Sequence, residues 1–81
     1  MENEAAFTDL VEYIVKSIVD NPDQVTVTQS DQAGSIMLEV GVAESDMGRV
    51  IGRGGSVVNS IRSLVQVLAA KQGKRVNLEI V

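Results

Sequence analysis

Gly48-Arg49-Val50-Ile51-Gly52-Arg53-Gly54-Gly55-Ser56 is the stretch from which the rest of the chain is most readily placed. Three of its four glycines fall within Gly52 to Gly55, so the backbone there can take positive φ and bring its N–H groups close to another chain. Apolar residues resume at helical spacing from Val57, which sets a helix N-terminus directly behind the turn. The first N–H groups of a helix lack intrahelical partners and attract anions. With Arg49 and Arg53 adding fixed positive charge, the stretch predicts a loop that holds a sugar-phosphate chain.

Spacing separates this loop from two better-known phosphate motifs. A P-loop, GxxxxGK[ST], requires Lys before Ser56, where Gly55 stands, and counting from Gly48 puts Arg53 at the second glycine position. A dinucleotide fingerprint begun at Gly52 finds Gly54 but then Val57 in place of the third glycine, and no strand leads into it. GxxG remains, Gly52-Arg53-Gly54-Gly55 between two helices.

Outward from the loop, Met47, Val50 and Ile51 mark one side of a short preceding helix, with Glu44-Ser45-Asp46 placed for its first turn. After the loop, Val57, Val58, Ile61, Leu64, Val65, Leu68 and Ala69 form an apolar stripe three to four residues apart. Lys71 near the helix end and Gly73 as C′ residue close a helix over 56–72. Arg75 to Val81 alternates, with Val76, Leu78 and Ile80 inward, as a strand. Before the loop, Val25-Thr26-Val27-Thr28 and Ile36 to Val42 alternate as two strands of an antiparallel hairpin, turning through Ser30-Asp31-Gln32-Ala33-Gly34. Phe7, Leu10, Val11, Ile14, Val15, Ile18 and Val19 predict an amphipathic helix over 4–20, ended by Asn21-Pro22. Tyr13 is expected to pack at the rim. The order predicts an α+β fold, α-β-β-α-α-β, with helices on one face of a three-stranded sheet.

Eighty-one residues make one domain over 1–81 with a modest core. With neither cysteine nor histidine, disulfides, Cys/His zinc sites and a histidine base are excluded. Met47 to Leu78 holds no Asp or Glu, so the loop has no local general base; no enzyme activity, cofactor or metal is expected. Acidic Met1-Glu2-Asn3-Glu4 and the short apolar runs predict a cytoplasmic chain without a membrane partner. The net charge of −4 argues against nucleic acid, but its distribution argues for it. Residues 1–46 hold ten acidic residues against Lys16, whereas 47–78 hold six basic residues and none acidic.

The GxxG turn with Val50-Ile51 before it, Val58 and Ile61 after it, and a hairpin and terminal strand around the helix pair resembles the KH family. The leading helix and trailing strand look like its type II form, whose sheet is mixed. Arg49-Val50-Ile51-Gly52-Arg53-Gly54-Gly55 and Ala69-Ala70-Lys71-Gln72-Gly73-Lys74-Arg75-Val76 are similar to the small bacterial KhpA-type RNA-binding proteins. The resemblance implies sequence-tolerant binding of single-stranded RNA, dimerisation, and a Jag/KhpB-type partner in post-transcriptional control of envelope growth and division. Carried onto this chain, Arg53 and Gly54 face phosphates between Gly52 and Gly55, with Ser56, Arg49 and Arg62 flanking. Val40, Val42, Ile51 and Val58 are expected to include the apolar floor under the bases, although each also fits the core. Gly54 stands where a basic or polar residue is more usual.

One face of the second long helix is left over. Taking Ile61 as 0°, the core stripe spans about −60° at Leu64 to about +80° at Ala69, with Arg62 at its edge. Asn59, Ser60, Ser63, Gln66, Val67 and Ala70 lie behind it, all uncharged where an exposed helix ordinarily carries Glu and Lys. This face is expected to pair with a second copy or a KH partner. The competing function is therefore a KH-shaped interaction module with little RNA binding of its own.

Overall fold

A computed structural model describes residues 5–81; the acidic stretch at 1–4 and the predicted helix start at Glu4 lie outside the described residues. Helix α1 spans Ala5–Ile18, strand β1 Thr26–Gln32, β2 Ser35–Gly41, helix α2 Met47–Ile51, α3 Ser56–Lys71 and β3 Arg75–Ile80. Single 3₁₀ turns occupy Pro22–Gln24, Glu44–Asp46 and Arg53–Gly55. The sheet order is β1-β2-β3, antiparallel between β1 and β2 and parallel between β2 and β3. This is the mixed three-stranded sheet of the type II KH order, with α1 packed on β1 and α3 on β3.

Register follows the apolar alternation. Ile36 pairs with Val76, Leu38 with Leu78, and Val40 with both Val27 and Ile80, so one face of β2 and β3 is continuously apolar, with Val27 extending it onto β1. It is buried against Phe7, Val11 and Val15 of α1, Val50 of α2, and Val58, Ile61, Val65 and Ala69 of α3. Each fully buried aliphatic side chain contributes about 1.5–3 kcal/mol, which outweighs propensity differences of a few tenths and fixes which helix faces turn inward.

Three expectations for the hairpin and α1 need correction. The hairpin is tighter than predicted: β1 runs on through Ser30, Asp31 and Gln32, and only Ala33 and Gly34 turn, both at positive φ (49° and 86°). Two such residues make the I′ geometry that matches strand twist, so the ladder extends to the turn itself. Next, α1 stops at Ile18 rather than residue 20, because the backbone N–H groups of Asp20 and Asn21 bond to the Asp46 carboxylate instead of continuing the helix. Tyr13, expected at the rim, is 72% exposed. Two residues from both Val11 and Val15, it points about 200° away from the buried stripe.

On α3 the buried arc is turned by about 30° toward Arg62 relative to the predicted stripe. Val58, Ile61, Val65 and Ala69 are buried, but Leu64 is 58% exposed and Leu68 40%. Arg62 accounts for the turn: Nε and Nη2 donate to the Leu78 carbonyl at 3.3 and 2.9 Å, holding that flank of α3 against β3, an edge strand. The helix ends in a Schellman motif. The Gly73 N–H donates to Ala70 O and the Lys74 N–H to Ala69 O, with Gly73 at φ 73°.

Candidate nucleic-acid interface

The glycine turn is built from three different backbone requirements. Gly52 caps α2 at φ 78°, ψ 172°, a region essentially confined to glycine, and its N–H donates to Gly48 O at 2.9 Å. A Cβ there would lie 2.5 Å from Val57 Cγ2 and 2.8 Å from Val57 N, so glycine is required sterically as well. Gly55 is the left-handed residue before α3, at φ 81°, ψ 13°. Gly54 is left-handed too, at φ 62°, ψ 21°, but a Cβ there would meet nothing within 4 Å. Gly52 and Gly55 therefore shape the turn, while Gly54 leaves its outer surface bare.

Two hydrogen bonds hold the turn internally, Gly55 N–H to Gly52 O at 3.2 Å and Ser56 N–H to Arg53 O. The N–H groups of Arg53 and Gly54 are outside this pair, and no side chain caps the N-terminus of α3. Arg53, Gly54 and Ser56 are exposed and Ile51 half-buried. Among the described residues no carboxylate lies within ion-pair distance of Arg53. The arrangement offers N–H groups, the positive end of a sixteen-residue helix and one unneutralised guanidinium on an open surface. Open clefts of about 340 and 320 Å³ lie around Lys74, toward the other end of α3.

The remaining predicted contacts are placed unevenly. Val40 and Val58 are buried in the core and Val42 is half-buried, so the first two support the surface from beneath. Arg62 is engaged with Leu78 O and with Asn59 Oδ1. Arg49 is paired with Asp20, Nη2 to Oδ2 at 3.6 Å, both side chains exposed. Of the predicted pairing face, Asn59, Ser60, Ser63, Val67 and Ala70 are all exposed, Val67 by 66%. Leu64 and Leu68 join that surface, which is more apolar than the sequence suggested.

Asp46 is the residue whose role sequence reasoning missed. Instead of capping α2 it turns its carboxylate inward, 1% exposed, and is the only buried polar side chain among the described residues. Oδ1 accepts from the Asp20 N–H, and Oδ2 from the Asn21 N–H and from Asn21 Nδ2, all at 3.1 Å. Removal from water pushes the Asp46 carboxyl up. The bonds from the Asp20 N–H, the Asn21 side chain and the Asn21 N–H, with the Arg49 charge, pull it further the other way, leaving it below its usual 3.8. One carboxylate thus ties the end of α1 to the start of α2, one turn ahead of the glycine loop. Asn21-Pro22 signalled a break in sequence, but no local pattern could supply an acceptor 25 residues away.

A mixed sheet with this strand order, and a GxxG turn between two helices packed on it, define a KH domain. More particularly, the chain belongs to the KhpA/KhpB KH-domain family, whose model matches residues 8–80. It is 47% identical over 73 residues to the RNA-binding protein KhpA of Caldanaerobacter subterraneus subsp. tengcongensis, covering 90% of this chain and 97% of that one. The RNA-binding protein KhpA of Clostridium acetobutylicum is 46% identical over 72 residues, 89% of this chain and 96% of the other. These relatives are named as binding proteins, in agreement with the expectation of a non-catalytic domain. Among solved structures, Aquifex aeolicus Era bound to GDP and AlF4⁻ superposes on 99% of this chain with a TM-score of 0.69 at 17% identity. The match takes up 31% of the Era chain and speaks to the fold alone.

Proposed function

We propose that this chain is a non-catalytic protein that binds single-stranded RNA, clamping the sugar-phosphate backbone at Gly52 to Gly55. The observation that carries the reading is the pairing of an exposed, unneutralised Arg53 with a bare Gly54 at the uncapped N-terminus of α3. Arg53 supplies charge, Gly54 lets the phosphates approach the backbone, and Ser56 borders the contact. Ile51 provides apolar surface toward the bases, backed by the buried Val40 and Val58. Because base edges meet few fixed side chains, the binding is tolerant of sequence. Membership of the family, and the names its relatives carry, favour RNA as the ligand. We place its action in the cytoplasm, which the acidic start and short apolar runs of the sequence favour, and, as the resemblance to KhpA-type proteins implies, in post-transcriptional control of envelope growth and division with a Jag/KhpB-type partner. No described helix is long and apolar enough to cross a membrane.

The test is a titration of labelled single-stranded RNA at two salt concentrations, with the parent and with the Arg53→Asp/Gly54→Asp variant. The parent is expected to lose affinity as salt rises, and the variant to bind at least about tenfold more weakly with a flatter salt dependence. Equal binding by both would remove the clamp.

The face of Leu64, Val67 and Leu68 with Asn59, Ser60, Ser63 and Ala70 favours a second reading alongside the first, a paired assembly. Small side chains let helices approach closely, and exposed aliphatics supply area to bury. A homodimer through α3 would present two loops and raise the avidity for one strand. Sedimentation of Val67→Glu is expected to give a monomer where the parent is a dimer; an unchanged dimer, or a monomeric parent, would end this reading.

A further inference from the structure

The two arginines that flank the glycine turn are held differently. Arg53 has no carboxylate in ion-pair range among the described residues, whereas Arg49, on α2 one turn before the loop, faces Asp20 at 3.6 Å. Asp20 is positioned by its backbone. Its N–H donates to Asp46 Oδ1 and the next N–H to Oδ2, so the buried carboxylate fixes the end of α1 beside α2. The side chain of Asp20 has no part in those bonds and is left at the guanidinium of Arg49.

We infer that Asp20 is an internal competitor of the nucleic acid, occupying Arg49 in the free protein and yielding it to an RNA phosphate on binding. This deepens the clamp proposed above and rests on it. Both side chains of the pair are exposed, and exposed ion pairs are weak, so a phosphate at the loop can take the guanidinium over. Phosphate also accepts from an arginine fork at two oxygens, a geometry that the 3.6 Å contact with one oxygen of Asp20 does not supply. The free protein thus presents one available arginine at the loop and the bound protein two. Net affinity is lowered by the exchange. An acidic residue at position 20, which sequence alone places in an acidic half remote from the loop, becomes a tuning element of the site.

The test is a double-variant cycle on RNA affinity. A fluorescein-labelled oligouridine about eight nucleotides long, twice what a GxxG loop clamps, is titrated by fluorescence anisotropy. The proteins are the parent, Asp20→Asn, Arg49→Ala, the Asp20→Asn/Arg49→Ala double variant and the loop-reversed Arg53→Asp/Gly54→Asp protein. The work is done at ionic strength of about 0.15 M, where charges farther apart than about 8 Å are largely screened. Asp20→Asn keeps the backbone N–H that Asp46 holds, and its thermal melt should match the parent. It is expected to tighten binding about two- to fivefold in the parent, and to change nothing measurable once Arg49 is alanine. An equal gain in both backgrounds would make the effect one of net charge, and no gain in either would show that Arg49 is not exchanged; both overturn the inference. If the loop-reversed protein binds as well as the parent, the clamp itself fails and takes this inference with it, a result visible without any Asp20 variant.

Discussion

Gly52→Ala is expected to destabilise the domain by about 3 kcal/mol or more, while Gly54→Ala, two residues away in the same loop, loses only about 1 kcal/mol. Both glycines have positive φ, so conformational preference alone does not separate them. Position does. At φ 78°, ψ 172° Gly52 occupies backbone space that side-chain-bearing residues hardly visit, and its added Cβ would press on the Val57 backbone N at 2.8 Å. That nitrogen is in the first turn of α3 and cannot yield without moving the helix. Gly54 at φ 62°, ψ 21° is in the ordinary left-handed region with open space around it. Urea denaturation of the two variants provides the comparison. Against a total of about 5–15 kcal/mol for a domain, the first loss is a large share of the margin. Similar midpoints for both would mean that the turn does not hold the geometry described.

The second large effect is at Asp46. Asp46→Ala removes the acceptor of three donors at once and leaves the Asp20 and Asn21 N–H groups without partners at a half-buried corner. A fall in melting temperature on the order of 10 °C is expected. Asp46→Asn is the sharper variant. It keeps the volume but turns an amide NH₂ toward N–H donors, so it should recover little. The same carboxylate fixes a pH signature. Its folded pKa is depressed below the usual 3.8, so the stabilisation is fully present above the unfolded value and is lost as pH falls through the folded one. The gap in melting temperature between parent and Asp46→Asn should therefore be constant from neutrality to about pH 5 and narrow below about pH 4. A gap that stays constant down to pH 2 would exclude ionised Asp46 as its source.

Legibility in the sequence differs from element to element. The alternation of Ile36, Leu38 and Val40, and of Val76 and Leu78, specified strands and facing because a one-residue slip would invert every side chain. The glycine spacing specified the loop because each competing motif fails at a particular residue. Less legible was the facing of α3. Periodicity marks Leu64 and Leu68 as apolar but cannot distinguish a side chain buried in its own domain from one exposed on the surface. The deciding contact, Arg62 to Leu78 O, joins residues sixteen apart across two elements. The tight turn escaped because Ala33 carries no sign of a positive φ; only Gly34 does. Asp46 escaped because its meeting with Asp20 and Asn21 is a product of tertiary packing; in sequence it is placed for the first turn of α2, and Asp20 lies in an acidic half remote from the loop. Arg49 and Arg53, similar in sequence, differ in the fold because Asp20 stands beside the first.

On the proposed clamp, nucleic acid is held at the glycine turn and the first turn of α3. Amide-resolved magnetic resonance of the isotope-labelled chain during titration with single-stranded oligouridine tests it most directly, because each backbone N–H reports its own surroundings. Progressive shifts are predicted at Arg53, Gly54, Gly55, Ser56 and Val57, with a smaller response at Arg49 and Asp20. Shifts confined to the outer sheet face, at Thr28, Ser30, Met37, Glu39 and Asn77, with the glycine turn unmoved, would contradict it.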